Sequence, residues 1–217
     1  MSDLPFFLLD NRWLLVTALM LLALLVIGFV GGRIQRRRRS RDLALGLGDS
    51  TRGVLIYSAG PGSHGFTAEI QPSPDPFAKF SIEHRGGSNP FFAWAGNRES
   101  LRFRAKLQAR PVAELLWVRG KLPPVTNSRG MRVSMWVQRR LDYLNVDYAV
   151  RGSNTAAVEH VFLDLQTRFG QALRLVRIYG DEEPDFEVVF RSGRLDGREI
   201  PALVTTLRAL GRGALRS

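Results

Sequence analysis

Residues 13–32 read WLLVTALMLLALLVIGFVGG, twenty positions without a charged side chain. Thr17 is the one notable polar residue among them. At a helical rise of about 1.5 Å per residue the stretch reaches about 30 Å, the thickness of a bilayer's hydrocarbon core. A helix is the form that can span it, because it satisfies its backbone hydrogen bonds internally. Trp13 marks one end, where an amphipathic ring prefers the headgroup level. A buried core helix would show a polar stripe, and this run has none. A secretory signal would carry its positive charge ahead of the apolar run. Here the order is reversed: Asp3 and Asp10 against the single Arg12 precede the run, and Arg33, Arg36, Arg37, Arg38, Arg39 and Arg41 follow it. Basic flanks resist translocation, so these six arginines predict an N-terminus outside and the rest of the chain in the cytoplasm. With Trp13 they are the membrane-anchoring candidates, each arginine worth up to about 1 kcal/mol near an anionic surface. The lipid bilayer is the first expected partner.

The whole chain has 217 residues and a formal net charge of +11. Seven of its 31 basic and two of its 20 acidic residues precede Asp42, so the remaining 176 residues carry only about +6. A nucleic-acid footprint needs clustered charge as well as excess, which makes nucleic acid an unlikely partner on composition. No cysteine is present. Disulfides, thiolate zinc sites, iron–sulfur ligation and a cysteine nucleophile are therefore excluded. The only histidines are His64, His84 and His160.

Beyond the arginines, Gly46, Gly48, Asp49 and Ser50 break any period, and the stretch from Asp42 to Arg52 reads as a linker. Strands are predicted at Val54–Ser58, Phe66–Ile70, Phe80–His84, Val112–Arg119, Val133–Arg139 and Val146–Arg151. The clearest is Leu101–Leu107, where Leu101, Phe103, Ala105 and Leu107 alternate with Arg102, Arg104 and Lys106. Val158, Val161, Phe162, Leu165 and Phe169 then fall on one helical face, with Asn154 or Thr155 to cap it and Gly170 to end it. Leu173–Tyr179 and Phe186–Arg191 read as a hairpin around the acidic turn 181–185. Ile200, Leu203, Val204, Leu207 and Leu210 mark a last helix. The predicted class is α+β: one N-terminal transmembrane helix, then a mainly antiparallel sheet domain ending β-α-β-β-α with helices on one face. The predicted divisions are an extracytoplasmic tail at 1–12, the span at 13–32, a basic juxtamembrane segment and linker at 33–52, and a cytosolic domain at 53–217.

The run from Leu144 to Leu210, with its strand Asn145-Val-Asp-Tyr-Ala-Val150 leading through a polar turn into a helix, resembles the tails of cytoplasmic domains in bacterial single- or two-pass membrane proteins of unknown function. The resemblance implies a membrane-tethered domain and carries over no catalytic residue.

Motifs with chemical content are few. Gly60-Pro-Gly-Ser-His-Gly65 matches G-x-G-x-x-G, but alternation and prolines follow it, and no helix to hold a pyrophosphate. A kinase loop would allow the flanking strands; the catalytic-loop and metal-binding motifs that accompany it are missing, and Lys79 alone is not enough. Ser63-His64 and Glu83-His84 are the only local pairs for nucleophilic catalysis, and no nucleophile elbow is present. His160 lies off the helical stripe and is expected to face solvent. Asp181, Glu182, Glu183, Asp185 and Glu187 are the densest acidic cluster, without the glycine and terminal glutamate of a calcium loop.

Phe91, Phe92 and Trp94, flanked by glycines, are candidates for an interaction surface or for core under a loop. Arg102, Arg104 and Lys106 form the other candidate surface, with Arg98 and Arg110 nearby. No cofactor and no metal site is predicted. The sequence predicts a non-enzymatic, arginine-rich protein of a bacterial plasma membrane, whose cytosolic domain serves interaction or assembly with a protein partner or a second copy. The alternative is recognition of anionic lipid or nucleic acid through the arginine-rich surfaces; an enzyme of unfamiliar kind comes third.

Overall fold

The computed structural model describes residues 12–50, 54–58, 65–86, 99–120, 136–141, 146–181 and 183–216. The first element is α1, a 39-residue helix over Arg12–Ser50. The stretch 13–30 is exposed throughout, and Trp13 is 82% exposed. It is long and apolar enough to cross a membrane. The expected linker at 42–52 is not seen: α1 continues without a break through Ser50. Leu43 and Leu47, spaced one turn apart, are each 1% exposed and belong to the core of the domain. Burying the two side chains stabilises this lower half of the helix by about 3–6 kcal/mol, which outweighs the cost of about 1 kcal/mol for each glycine in it.

The strands are β1 (Val54–Ser58), β2 (Phe66–Gln71), β3 (Phe77–Arg85), β4 (Ser100–Leu107), β5 (Ala113–Val118), β6 (Val137–Leu141), β7 (Val146–Gly152), β8 (Leu173–Ile178) and β9 (Phe186–Phe190). Two further α-helices occur among the described residues, α2 (Ala156–Phe169) and α3 (Ile200–Leu215). The strands form one antiparallel sheet in the order β1-β2-β3-β4-β9-β8-β5-β7-β6. The β8–β9 hairpin thus joins the β1–β4 meander to the β5–β7 group. Its register sets Phe103 beside Val188 and Ala105 beside Phe186.

The expected elements are present, with adjusted limits. The strand expected at Val133–Arg139 is Val137–Leu141. Thr155 occupies the N-cap of α2 but makes no side-chain cap bond, and Gly170 closes the helix in a right-handed conformation. The alternation of β4 holds: Leu101, Phe103, Ala105 and Leu107 are buried, Arg102 and Arg104 half-buried, Lys106 exposed. The apolar face of the sheet meets α2 and α3. Phe77, Phe80, Phe103 and Phe190 run across it as successive ring contacts, and Phe169 of α2 reaches Phe190 edge-on at 6.5 Å. On α2, Val158, Phe162, Leu165 and Phe169 are buried and Val161 partly so; on α3 the whole predicted stripe is buried.

Candidate functional site

Three segments converge where α1 enters the domain: the helix itself, the end of β3, and two short 3-10 turns, Ser192–Arg194 and Gly197–Glu199. Two glycines permit the approach. A Cβ on Gly46 would stand 2.3 Å from the carbonyl oxygen of Gly197, and one on Gly197 would stand 2.8 Å from the carbonyl oxygen of Asp42. Neither backbone can accept a larger residue without moving.

His84 fastens the junction from beneath. Its side chain is 3% exposed. Nδ1 lies 3.2 Å from Ser40 Oγ on α1, and Nε2 lies 3.2 Å from Ser192 Oγ on the first 3-10 turn. Phe66 packs against the ring at 5.4 Å. Burial, reinforced by the nearby Arg39 cation, lowers the imidazole pKa from 6.5 to about 4. The ring is therefore neutral at pH 7, with one N–H to donate and one lone pair to accept. Ser192 is fully buried, which removes it from any nucleophilic role. The unfolded chain takes up a proton at this residue where the folded chain does not. The contribution of His84 to stability is unaffected above about pH 6.5 and falls as the pH drops toward 4, by about 3 kcal/mol in full. His84→Gln keeps a donor and an acceptor but does not titrate. Urea unfolding of the full chain in neutral detergent is expected to show the variant losing less stability over that window; parallel pH curves would refute the assignment.

Arg39 adds a second tie, donating to the Gly193 carbonyl at 3.2 Å and lying 4.0 Å from Glu99. Beside it opens a cleft of about 1240 Å³ between α1 and the 3-10 turns, lined by Gln35, Arg38, Arg39, Asp42, Arg194, Asp196, Arg198 and Glu199 over a base that includes Leu43 and Leu195. A second cleft of about 580 Å³ shares Arg194, Leu195 and Glu199 and runs to Trp117 and Phe169. Gln166 lines it and has a buried Nε2 without a hydrogen-bond partner.

The other sequence candidates distribute as follows. Arg37, Arg38 and Arg41 are exposed on α1. Arg33 and Arg36 belong to the same helix, and their side chains lie outside the described residues, as do Phe91, Phe92 and Trp94. The cations of β4 are not an open basic patch. Arg102 and Arg104 both approach Glu187 at 3.4 Å, Arg104 also lies 4.0 Å from Glu83, and Lys106 bonds Glu183 at 2.5 Å. Local carboxylates thus neutralise the strand's outer face.

Glu83 lies on β3, and the acidic hairpin with the start of β9 supplies the other partners. Asp181 pairs with Arg110 and Arg151, and Asp185 accepts the Leu107 backbone N–H at 2.9 Å. Desolvation raises the Asp185 pKa against that bond. Among the described residues no group of three potential metal ligands occurs. His160 is exposed, as expected. Of the glycine-rich loop only Gly65 is described; His64 and residues 60–63 lie outside the described residues. The residues missed from sequence are Ser40, Leu43, Gly46, Leu47, Ser192, Arg194 and Arg198. The i, i+4 spacing of Leu43 and Leu47 was the signal for a continuing helix. Compared with protein families, curated proteins and solved structures, the chain matches none.

Proposed function

We propose that the protein is a non-enzymatic membrane-anchored module, with α1 as its single span, that holds an α+β domain at a fixed orientation on the cytoplasmic surface for assembly with a protein partner or a second copy. One observation carries the reading: the two halves of a continuous helix have opposite surroundings, the first apolar and exposed, the second built into the domain core through Leu43 and Leu47. The six arginines that follow the apolar stretch support the cytoplasmic side for the domain. The open sheet supports assembly, since β1 and β6 are its outer strands and each pairs on one side only among the described residues. Such edges offer backbone donors and acceptors to an added strand.

The full chain is expected to stay in the membrane pellet through alkaline extraction, and a protease added outside intact cells is expected to spare the domain. Crosslinking followed by purification in detergent is expected to recover one recurring partner or a dimer. Release into the aqueous fraction, digestion of the bulk from outside, or repeated recovery of a lone monomer would each count against the proposal. Nucleic-acid recognition draws no support from the ion-paired β4 face, and binding through several phosphates would weaken steeply with salt.

A further inference from the structure

We infer that the cleft at the foot of α1 binds the phosphate of an anionic lipid headgroup from the leaflet that the helix leaves. The inference rests on the reading of α1 as a span. Its first ground is depth. Arg38 follows the end of the apolar run by six residues, about 9 Å along a helix. The polar layer of one leaflet is about 5–8 Å thick beyond the hydrocarbon core, so Gln35, about 4.5 Å past the run, lies within it, and Arg38 stands at its aqueous edge, from which a long guanidinium side chain reaches back to the headgroup phosphates. Ile34, exposed on the same helix, lies just above, where acyl chains end.

Charge is the second ground. Four guanidinium groups line the cleft, from Arg38 and Arg39 on one wall and Arg194 and Arg198 on the other. Arg39 is held by Gly193 and Glu99, and Arg194 reaches Gln171 Oε1 at 3.5 Å. Arg38 and Arg198 make no side-chain hydrogen bond or ion pair among the described residues. The acids of the cleft do not complement them fully. Asp196 and Glu199 are committed to a capping box, Asp196 accepting the Arg198 backbone N–H at 3.0 Å and Glu199 accepting the Asp196 N–H at 3.1 Å. With Asp42 these carboxylates keep their charges, so the lining as a whole carries a formal charge of about +1, and the excess is a guanidinium. Two unpaired planar forks on opposite walls of an open cleft suit a phosphate, which a guanidinium can bind through two parallel N–H donors.

The test uses the full chain in neutral detergent with phosphatidylglycerol or phosphatidylcholine added, and native mass spectrometry reads the retained lipid. The wild-type chain is expected to retain phosphatidylglycerol over phosphatidylcholine. At about fivefold for each arginine, the Arg38→Gln/Arg198→Gln double variant is expected to bind it about twenty-fivefold more weakly. Arg216→Gln, at the far end of α3, is expected to match wild type. Equal retention by wild type and double variant, or no preference for the anionic lipid, overturns the site. Displacement by equimolar glycerol 3-phosphate overturns the lipid as the source and assigns the cleft to a soluble phosphate ester. Alkaline extraction of the same proteins separates the two readings: a chain that stays in the membrane without the preference loses the cleft alone, and a chain that leaves the membrane loses the span as well.

Discussion

Glu187→Gln is expected to lower the stability of the folded chain by about 3 kcal/mol or more. The carboxylate is 7% exposed and faces three guanidinium groups: Arg177 at 2.8 Å, Arg102 and Arg104 at 3.4 Å each. These residues sit on β4, β8 and β9, the strands that join the two halves of the sheet. Removing this negative charge sets three cations on adjacent strands against one another, a repulsion that Glu83, 4.0 Å from Arg104, offsets only in part. The figure is set at the low end of the range because Arg104 is 42% exposed. Glu183→Gln makes the matched control, since that carboxylate belongs to an exposed pair with Lys106 and its loss is expected to change little. Urea unfolding of the full chain in detergent decides it. Coincident midpoints for the two variants would show that Glu187 does not hold the strands together.

The second large effect belongs to Gly46. A leucine there would drive its Cβ into the Gly197 carbonyl, which is backbone and cannot swing away. Either α1 lifts from the 3-10 turn, exposing Leu43 and Leu47, or the turn is displaced and the Asp196 capping box opens. Overpacking of this kind costs about 1–3 kcal/mol, and loss of the two leucines from the core adds to it. Gly48→Ala gives the opposite sign: Gly48 is exposed, and alanine in a helix interior is favoured by about 1 kcal/mol. The thermal midpoints of the two variants are expected to bracket that of wild type. A Gly46→Leu chain as stable as wild type would mean that the helix does not need this close approach.

The pair also shows where sequence reading stopped. Gly46 and Gly48 look alike in a sequence, and both read as breakers. One is the point of closest backbone contact in the junction and the other faces outward, a difference that depends on Gly197, some 150 residues away. Strand order was hidden for the same reason. The alternation of β4 and the stripes of α2 and α3 are local patterns, each legible from spacing alone. The insertion of β8–β9 between β4 and β5 is decided by pairings distant in sequence. His84 was not read as buried, although its spacing from Phe80 and Ile82 on β3 puts it on their inward face; a histidine on a strand reads first as a surface residue, and its partners Ser40 and Ser192 come from remote segments. The β4 cations failed as a patch because their carboxylates sit on neighbouring β9, on the hairpin that leads into it, and on β3.

A helix that passes from an apolar half into a domain core without a joint behaves as a shaft and not as a string. In a bilayer thinner than its apolar half, a shaft that spans it as proposed leans. With Leu43, Leu47 and the Gly46–Gly197 contact leaving no swivel, the sheet leans by the same angle.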